Sequence, residues 1–286
     1  MSHEGKTRED VRSAAARGAA ESVVREAYRR YHHARYIHPD PLEIVLRYTN
    51  LRDREVAALI CASFALGRVR SILVVCSSVL SRLPNPAEDL ETASLHELRE
   101  RYEGFVYRFF GQEEIAHFLF AIGEVLRRRG SLEAAFLAHF STCDETVLPA
   151  LCGLSRELSE YASGIHGLLL SQVERGSAAK RWHLFLRWLV RDDSVDPGGW
   201  SRVSSSHLVV PMDTHMHRIC RRLGILNRKS ADGRAALEVT RFFRVLDPED
   251  PVRFDFSLSR MGIHPEIERD SRVLLENGGA AFSIQT

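Results

Sequence analysis

Lys180 and Asp213 are the two residues whose types and setting could carry covalent chemistry. The chain holds 39 Lys plus Arg, yet only Lys6, Lys180 and Lys229 are lysines. Arginine supplies almost every other positive charge. A primary amine can lose its proton and form a Schiff base, which a guanidinium cannot do. Lys6 lies in a polar tail and Lys229 in a turn-like Asn-Arg-Lys-Ser run, so Lys180 is the lysine within strong helical patterning. Chance survival of one lysine is the competing explanation.

The surroundings of both residues sharpen the contrast. Gly176-Ser177 precedes Ala178-Ala179-Lys180-Arg181-Trp182, and Leu184, Phe185, Leu186, Trp188, Leu189 and Val190 follow. Apolar residues three and four apart predict a mostly buried helix with Ser177 as its N-cap. Lys180 then falls in the first turn, where the helix dipole disfavours positive charge and suits an amine whose pKa must fall. Asp213 closes Val209-Val210-Pro211-Met212 and opens Thr214-His215-Met216-His217. Asp213 or Thr214 caps a helix with Met216, Ile219, Cys220 and Leu223 on one face and Gly224 at its end. Simple capping is the commoner use of such an aspartate.

Met212 to His217 also fits the D-x-H-x-H metal motif of amidohydrolases. That motif ends the first strand of a (β/α)8 barrel, and the 73 residues after Asp213 are too few for the remaining units. On a helix His215 and His217 stand about 200° apart and cannot share a metal. His32, His33 and His38 read as no metal cluster either, because adjacent His32 and His33 point away from each other on a helix and His38 lies beyond its end.

The elements that must position these residues are helical. Helices are expected over about 20–36, 42–48, 53–66, 72–80, 95–102 (Ser94 as N-cap), 112–128, 132–140, 148–169, 178–190, 214–223, 232–246 and 250–261. Pro84-Asn85-Pro86 reads as a turn, Tyr107–Gly111 as a connection and Asp192–Trp200 as a loop. Residues 1–18 read as a disordered tail. Asp255, between two phenylalanines, is a candidate buried carboxylate, with a solvent-facing position as the default. No strand-period segment is longer than His207–Met212, so the fold class is all-α.

Net charge is +1, which argues against global attraction to a polyanion. From Ser171 to Ser230, however, eleven basic residues face five acidic ones, while from Ala231 onward there are ten acidic and seven basic. The excess coincides with the Lys180–Asp213 stretch, as a phosphate-binding surface requires. A solvated basic face is the alternative. Arg68 and Arg70, beside Gly67, could also hold a phosphate or simply lie at the surface. The five cysteines lack a C-x-x-C spacing, and Cys61, Cys76 and Cys220 sit in apolar patterns as small core residues. No signal peptide is visible and no apolar run approaches the ~18 residues that span a bilayer. The expectation is a cytoplasmic protein without membrane partner, metal or cofactor.

Val210-Pro211-Met212-Asp213-Thr214-His215-Met216-His217-Arg218-Ile219 is similar to the V-D-T-H-V-x-R segment of the helix-hairpin-helix DNA glycosylases, the endonuclease III-like group, whose aspartate is catalytic. Gly176-Ser177-Ala178-Ala179-Lys180 looks like that group's G-V-G-x-K hairpin, whose lysine attacks the sugar. With its flanks (G-S-A-x-K-R, L-R-W-x-V-R, P-x-D-T-H, D-P-x-D-P-V) the chain more closely resembles an uncharacterised bacterial family distantly related to those glycosylases. The close resemblance spans about Ala178 to Gly262, with a weaker echo in Asp40 to Leu80.

This resemblance implies a two-lobed fold, with 52–175 as a middle lobe facing a lobe of 19–51 and 176–286, and Lys180 and Asp213 in the cleft. It implies a DNA glycosylase/AP-lyase-like activity on damaged or abasic DNA or RNA. Lys180 attacks the sugar C1′, and Asp213 stabilises an oxocarbenium or activates the nucleophile. Gly176, Ser177, Arg181, Arg218, Arg221, Arg222 and Arg68 would contact the nucleic acid. The departures are Ala178 in place of the hairpin's second glycine, a 33-residue Lys–Asp separation longer than in endonuclease III, and an extra Asp192–Ser206 loop expected beside the active site. The iron–sulfur cysteines and the intercalating glutamine are also missing. A non-catalytic nucleic-acid-binding module of the same fold is the second reading, and a metal-dependent amidohydrolase-like enzyme the third.

Overall fold

The computed structural model describes residues 8–162, 173, 176–264, 266–267 and 274–275. In chain order its helices are α1 Arg8–Tyr31, α2 Leu42–Val45, α3 Leu51–Ser63, α4 Val69–Leu80, α5 Pro86–Thr92, α6 Leu95–Arg101 and α7 Gln112–Arg129. They continue with α8 Leu132–Leu137, α9 Leu148–Tyr161, α10 Lys180–Val190, α11 Thr214–Arg222, α12 Gly233–Leu246 and α13 Asp255–Ile263. Among the described residues there is no strand, and isolated bridges such as Tyr107–Phe110 and Asp192–Pro197 stand in its place, so the all-α expectation holds.

Two expectations about the elements change. Helix α1 starts at Arg8, inside the tail expected to be disordered; residues 1–7 and the expected break at Ser163-Gly164 lie outside the described residues. Pro84-Asn85-Pro86 is not a plain turn, because Pro86 opens α5 at a position where its missing N–H costs nothing.

The chain divides into two compact units, Ile37–Leu208 and the pair of segments Met1–Tyr36 with Val209–Thr286. The resemblance, by comparison, implies boundaries near 51 and 175. Within Ile37–Leu208, α10 packs on α3 because it is buried continuously from Trp182 to Leu189 and needs cover on nearly every side.

In the Ile37–Leu208 unit the core centres on α3, buried continuously from Glu55 to Ser63. Asn50 caps it, its side-chain oxygen accepting from the Arg52 and Asp53 amides. Helices α2, α4, α5, α8 and α10 pack around α3, and α7 packs on α5, α6, α8 and α9. Gly123 lets α7 approach α5, since a Cβ there would overlap the Leu90 carbonyl oxygen. Glu55 is 1% exposed, accepting from the Leu132 amide (2.8 Å), the Glu133 amide (3.1 Å) and Trp200 Nε1 (3.1 Å). Burial pushes this carboxyl up to about 7, against the pull of the three donors. It ties α3 to the N-terminus of α8 and to the indole of Trp200.

In the other unit α1 packs on α13, and α13 on α11. Val24 and Ala27 of α1 are fully buried, and Tyr28 meets Phe254 edge to face at 5.7 Å. Asp255 is 2% exposed, so the buried alternative is the correct one. Asp232 caps α12 through the Ala235 amide (2.9 Å).

Candidate functional site

Lys180 is placed by a turn and then by a helix. Gly176 takes φ +72°, a left-handed conformation that favours glycine, although a Cβ would meet nothing within 4 Å. Ala179 takes φ +42° and ψ +33°, the same region, but with a Cβ. It is the N-cap residue of α10. Ser177, the expected cap, instead accepts from the Ala179 amide at 3.2 Å and stabilises the turn. Lys180 follows as the first helical residue, half-buried, with no acidic residue in that turn. Phe185, Leu186, Trp188 and Leu189 are fully buried beneath it, each worth roughly 1.5–3 kcal/mol of burial.

Its neighbours are less available to a ligand than the sequence suggests. Arg181 donates from Nη1 to the Ser63 carbonyl at the end of α3 (2.8 Å), and burial lowers its pKa to about 10. This guanidinium is engaged as a tether between α10 and α3. His183 is 3% exposed, and burial pushes it down to about 4, so it is neutral near pH 7.

The Asp192–Ser206 loop leaves the opposite end of α10, about 15 Å along the helix axis from Lys180. It is not an open specificity loop. Asp196 is fully buried and pairs with Arg187 (3.1 Å) and with Arg191, which also holds Asp193 at 2.6 Å. Gly198 N donates to the Trp188 carbonyl (3.0 Å) and Trp200 N to that of Leu189 (2.8 Å). The Trp200 ring lies in the core against Phe136 and Phe185. Arg54 completes the anchoring with bonds to the Pro197 and Gly198 carbonyls.

Asp213 belongs to the other unit. The extended Val209–Met212 run is buried, with Val210 N donating to Thr240 Oγ1 at 3.0 Å. Asp213 is the N-cap of α11: its Oδ1 accepts from the His215 amide (2.9 Å) and the Met216 amide (2.8 Å). Arg218, Arg221 and Arg222 follow at i, i+3 and i+4 and are all exposed, forming one basic face. On the inner face Met216, Ile219 and Cys220 are buried, and burial, helped by the Asp255 and Asp213 carboxylates, pushes the Cys220 thiol up.

The two histidines of the metal-like motif diverge. His217 Nε2 meets the Arg228 carbonyl at 3.0 Å, while His215 lies against Gly262 of α13. Among the described residues no three His, Cys, Asp or Glu side chains are placed to share a metal, and no helix is long and apolar enough to cross a membrane. His32 instead stacks on Tyr28 at 4.6 Å, and His38 Nδ1 meets Glu43 at 2.7 Å.

Arg68 is exposed at the N-cap of α4 and makes no capping bond. Its neighbour Arg70 lines a groove of about 590 Å³ with Arg82 and Arg108, two residues that no sequence pattern singled out. The usable signal was weak: Arg108 holds φ +57°, which a sequence does not display in a non-glycine residue.

A family model matches residues 40–264, well over half of the chain and inclusive of both Lys180 and Asp213. This chain belongs to the DUF2400 family. That family's description is a protein of unknown function. No curated protein and no solved structure matches the DUF2400 chain significantly.

Proposed function

We propose that the protein is a DNA glycosylase/AP-lyase-like enzyme acting on damaged or abasic nucleic acid. Lys180 is the attacking amine and Asp213 the carboxylate that supports charge development at the sugar. The observation that carries this reading is the position of Lys180, the first residue of a helix entered through two left-handed residues. A helix start offers backbone N–H groups and a positive dipole end to a phosphate, and places the amine beside it. The exposed Arg218, Arg221 and Arg222 face adds backbone-phosphate contacts at the end of the chain's basic stretch.

At an abasic site the Lys180 amine adds to the aldehyde carbon C1′, and water leaves to give a Schiff base. Borohydride reduces that imine to a stable secondary amine. Incubation with an abasic-site duplex and borohydride is expected to give a covalent protein–DNA adduct that Lys180→Gln abolishes. Absence of an adduct, with DNA binding intact, sinks the lyase chemistry.

A second reading, a binding module without chemistry, is favoured by one observation. Both amide contacts of Asp213 Oδ1 are those of an ordinary helix cap, which accounts for the residue without catalysis.

A further inference from the structure

Among the described residues six large apolar side chains are exposed; two of them line one groove, and a third, Phe109, follows the groove's Arg108 in the chain. Val74 is 71% exposed, Val106 77% and Phe109 68%. Val74 and Val106 line the 590 Å³ groove between α4 and the 104–108 segment, and Phe109 stands next to it on the same tight turn. The groove also carries Arg70, Arg82 and Arg108, and no carboxylate lines it. Apolar surface of this kind beside uncompensated positive charge marks a binding face.

Two of the arginines, Arg82 and Arg108, are set rather than loose. Arg82 donates to the Arg101 carbonyl at 2.6 Å and lies over the Tyr102 ring at 5.2 Å. Arg108 donates to the Leu66 carbonyl at 3.0 Å, with its guanidinium 5.7 Å from the centre of the Phe109 ring. Each bond uses one of five N–H donors and leaves the rest for a ligand. Tyr107 hydrogen-bonds the same Leu66 carbonyl (2.9 Å), and the bridge between Tyr107 and Phe110 holds Arg108 and Phe109 at the tip of the turn.

The wall of this groove rests on the end of α3 that also receives Arg181. Tyr107 packs edge to face on Phe64 at 5.6 Å, and the preceding residue, Ser63, accepts the Arg181 bond. The groove and the start of α10 thus share one support within the Ile37–Leu208 unit.

We propose that this groove holds an unpaired stretch of nucleic acid, with phosphates on Arg70, Arg82 and Arg108 and a base stacked on Phe109. The choice of nucleic acid rests on the reading under Proposed function; the choice of an unpaired strand rests on the groove itself. An exposed phenyl ring can stack only on a base whose face is free, and duplex bases are occupied by their neighbours. The substrate is then one with single-stranded character near the lesion.

The test is fluorescence anisotropy of the full-length protein with labelled oligothymidylate and with a labelled duplex. Arg70→Ala and Phe109→Ala are the variants, both at exposed positions, with thermal melts as a control for folding. Phe109→Ala is expected to weaken oligothymidylate binding at least about fivefold while leaving duplex binding unchanged. Arg70→Ala is expected to reduce the slope of log affinity against log salt by about 0.7. Wild-type single-strand affinity and salt slope in both variants overturn the proposal. So does competition by poly-glutamate as effective as by unlabelled oligonucleotide, which marks a mere polyanion surface. Loss of phosphatidylglycerol-vesicle binding in the variants, with oligonucleotide affinity unchanged, also overturns it in favour of a membrane face. A missing borohydride adduct in a protein whose strand binding responds to both variants counts against the Lys180 chemistry alone.

Discussion

Asp213→Asn separates the two uses of this carboxylate. Asparagine keeps a side-chain oxygen in the place of Oδ1, so both the His215 and Met216 amides retain their acceptor. Asn and Asp are nearly equal as N-caps, and the charge–dipole part of the loss is about 0.3–1 kcal/mol. For a chain of this size that lowers the melting temperature by only about 1–4 °C. Asp213→Ala instead strands two amides and costs about 0.5–2 kcal/mol. If the charge serves chemistry, single-turnover cleavage of an abasic-site duplex falls by about 100-fold or more in Asp213→Asn despite a nearly native melt. The assay pairs calorimetric melts with the rate of adduct formation at saturating enzyme. Wild-type turnover in Asp213→Asn, or a parallel loss of stability and rate across Asn and Ala, refutes a chemical role and leaves Asp213 a cap.

Asp196→Ala leaves the Arg187 and Arg191 guanidiniums buried without their shared carboxylate and is expected to cost about 3–5 kcal/mol in denaturant unfolding, a loss below 1 kcal/mol contradicting the network. Glu55 has a folded pKa of about 7 against 4.5 unfolded, so between those values the folded state binds more protons and stability falls as pH rises. Glu55→Gln is expected to flatten that part of the stability–pH curve while lowering stability overall, since Gln offers one acceptor oxygen to three donors; an unchanged slope rules the assignment out. Ala179→Gly relieves a Cβ at φ +42° and is expected to stabilise by about 0.5–1 kcal/mol, read as a raised melting midpoint, whereas a lowered midpoint argues against the left-handed turn.

Helical periodicity made most elements legible, and their caps followed: Ser94, Asp213 and Asp232 all accept from the first turn of the helix each precedes. Proline misled at α5, where the same residue that signals a turn also opens a helix. Asp196 was hidden by its setting, because Asp-Asp-Ser-Val-Asp-Pro-Gly-Gly has the composition of solvated chain. Only the neighbouring turn of α10 shows that Arg187 and Arg191 reach it. The resemblance groups α10 with Asp213, whereas the burial of α10 from Trp182 to Leu189 is met in large part by α3. The groove was illegible for another reason. Arg70, Arg82 and Arg108 lie in separate segments of ordinary composition, and only the packing of the 104–110 turn brings them to one surface.

The unit that holds Asp213 is built from two segments far apart in the chain, and this sets an order of assembly during synthesis. Helix α1 is made before the Ile37–Leu208 unit, yet its partner α13 is made only after the whole of it. At 5–20 residues per second the intervening segment takes roughly 9–35 s. Throughout that interval the Val23, Val24 and Ala27 stripe, buried in the finished protein, has nothing of its own to cover it. Burial of the α1 stripe is thus a late step, possible only once the chain beyond the Ile37–Leu208 unit has been made.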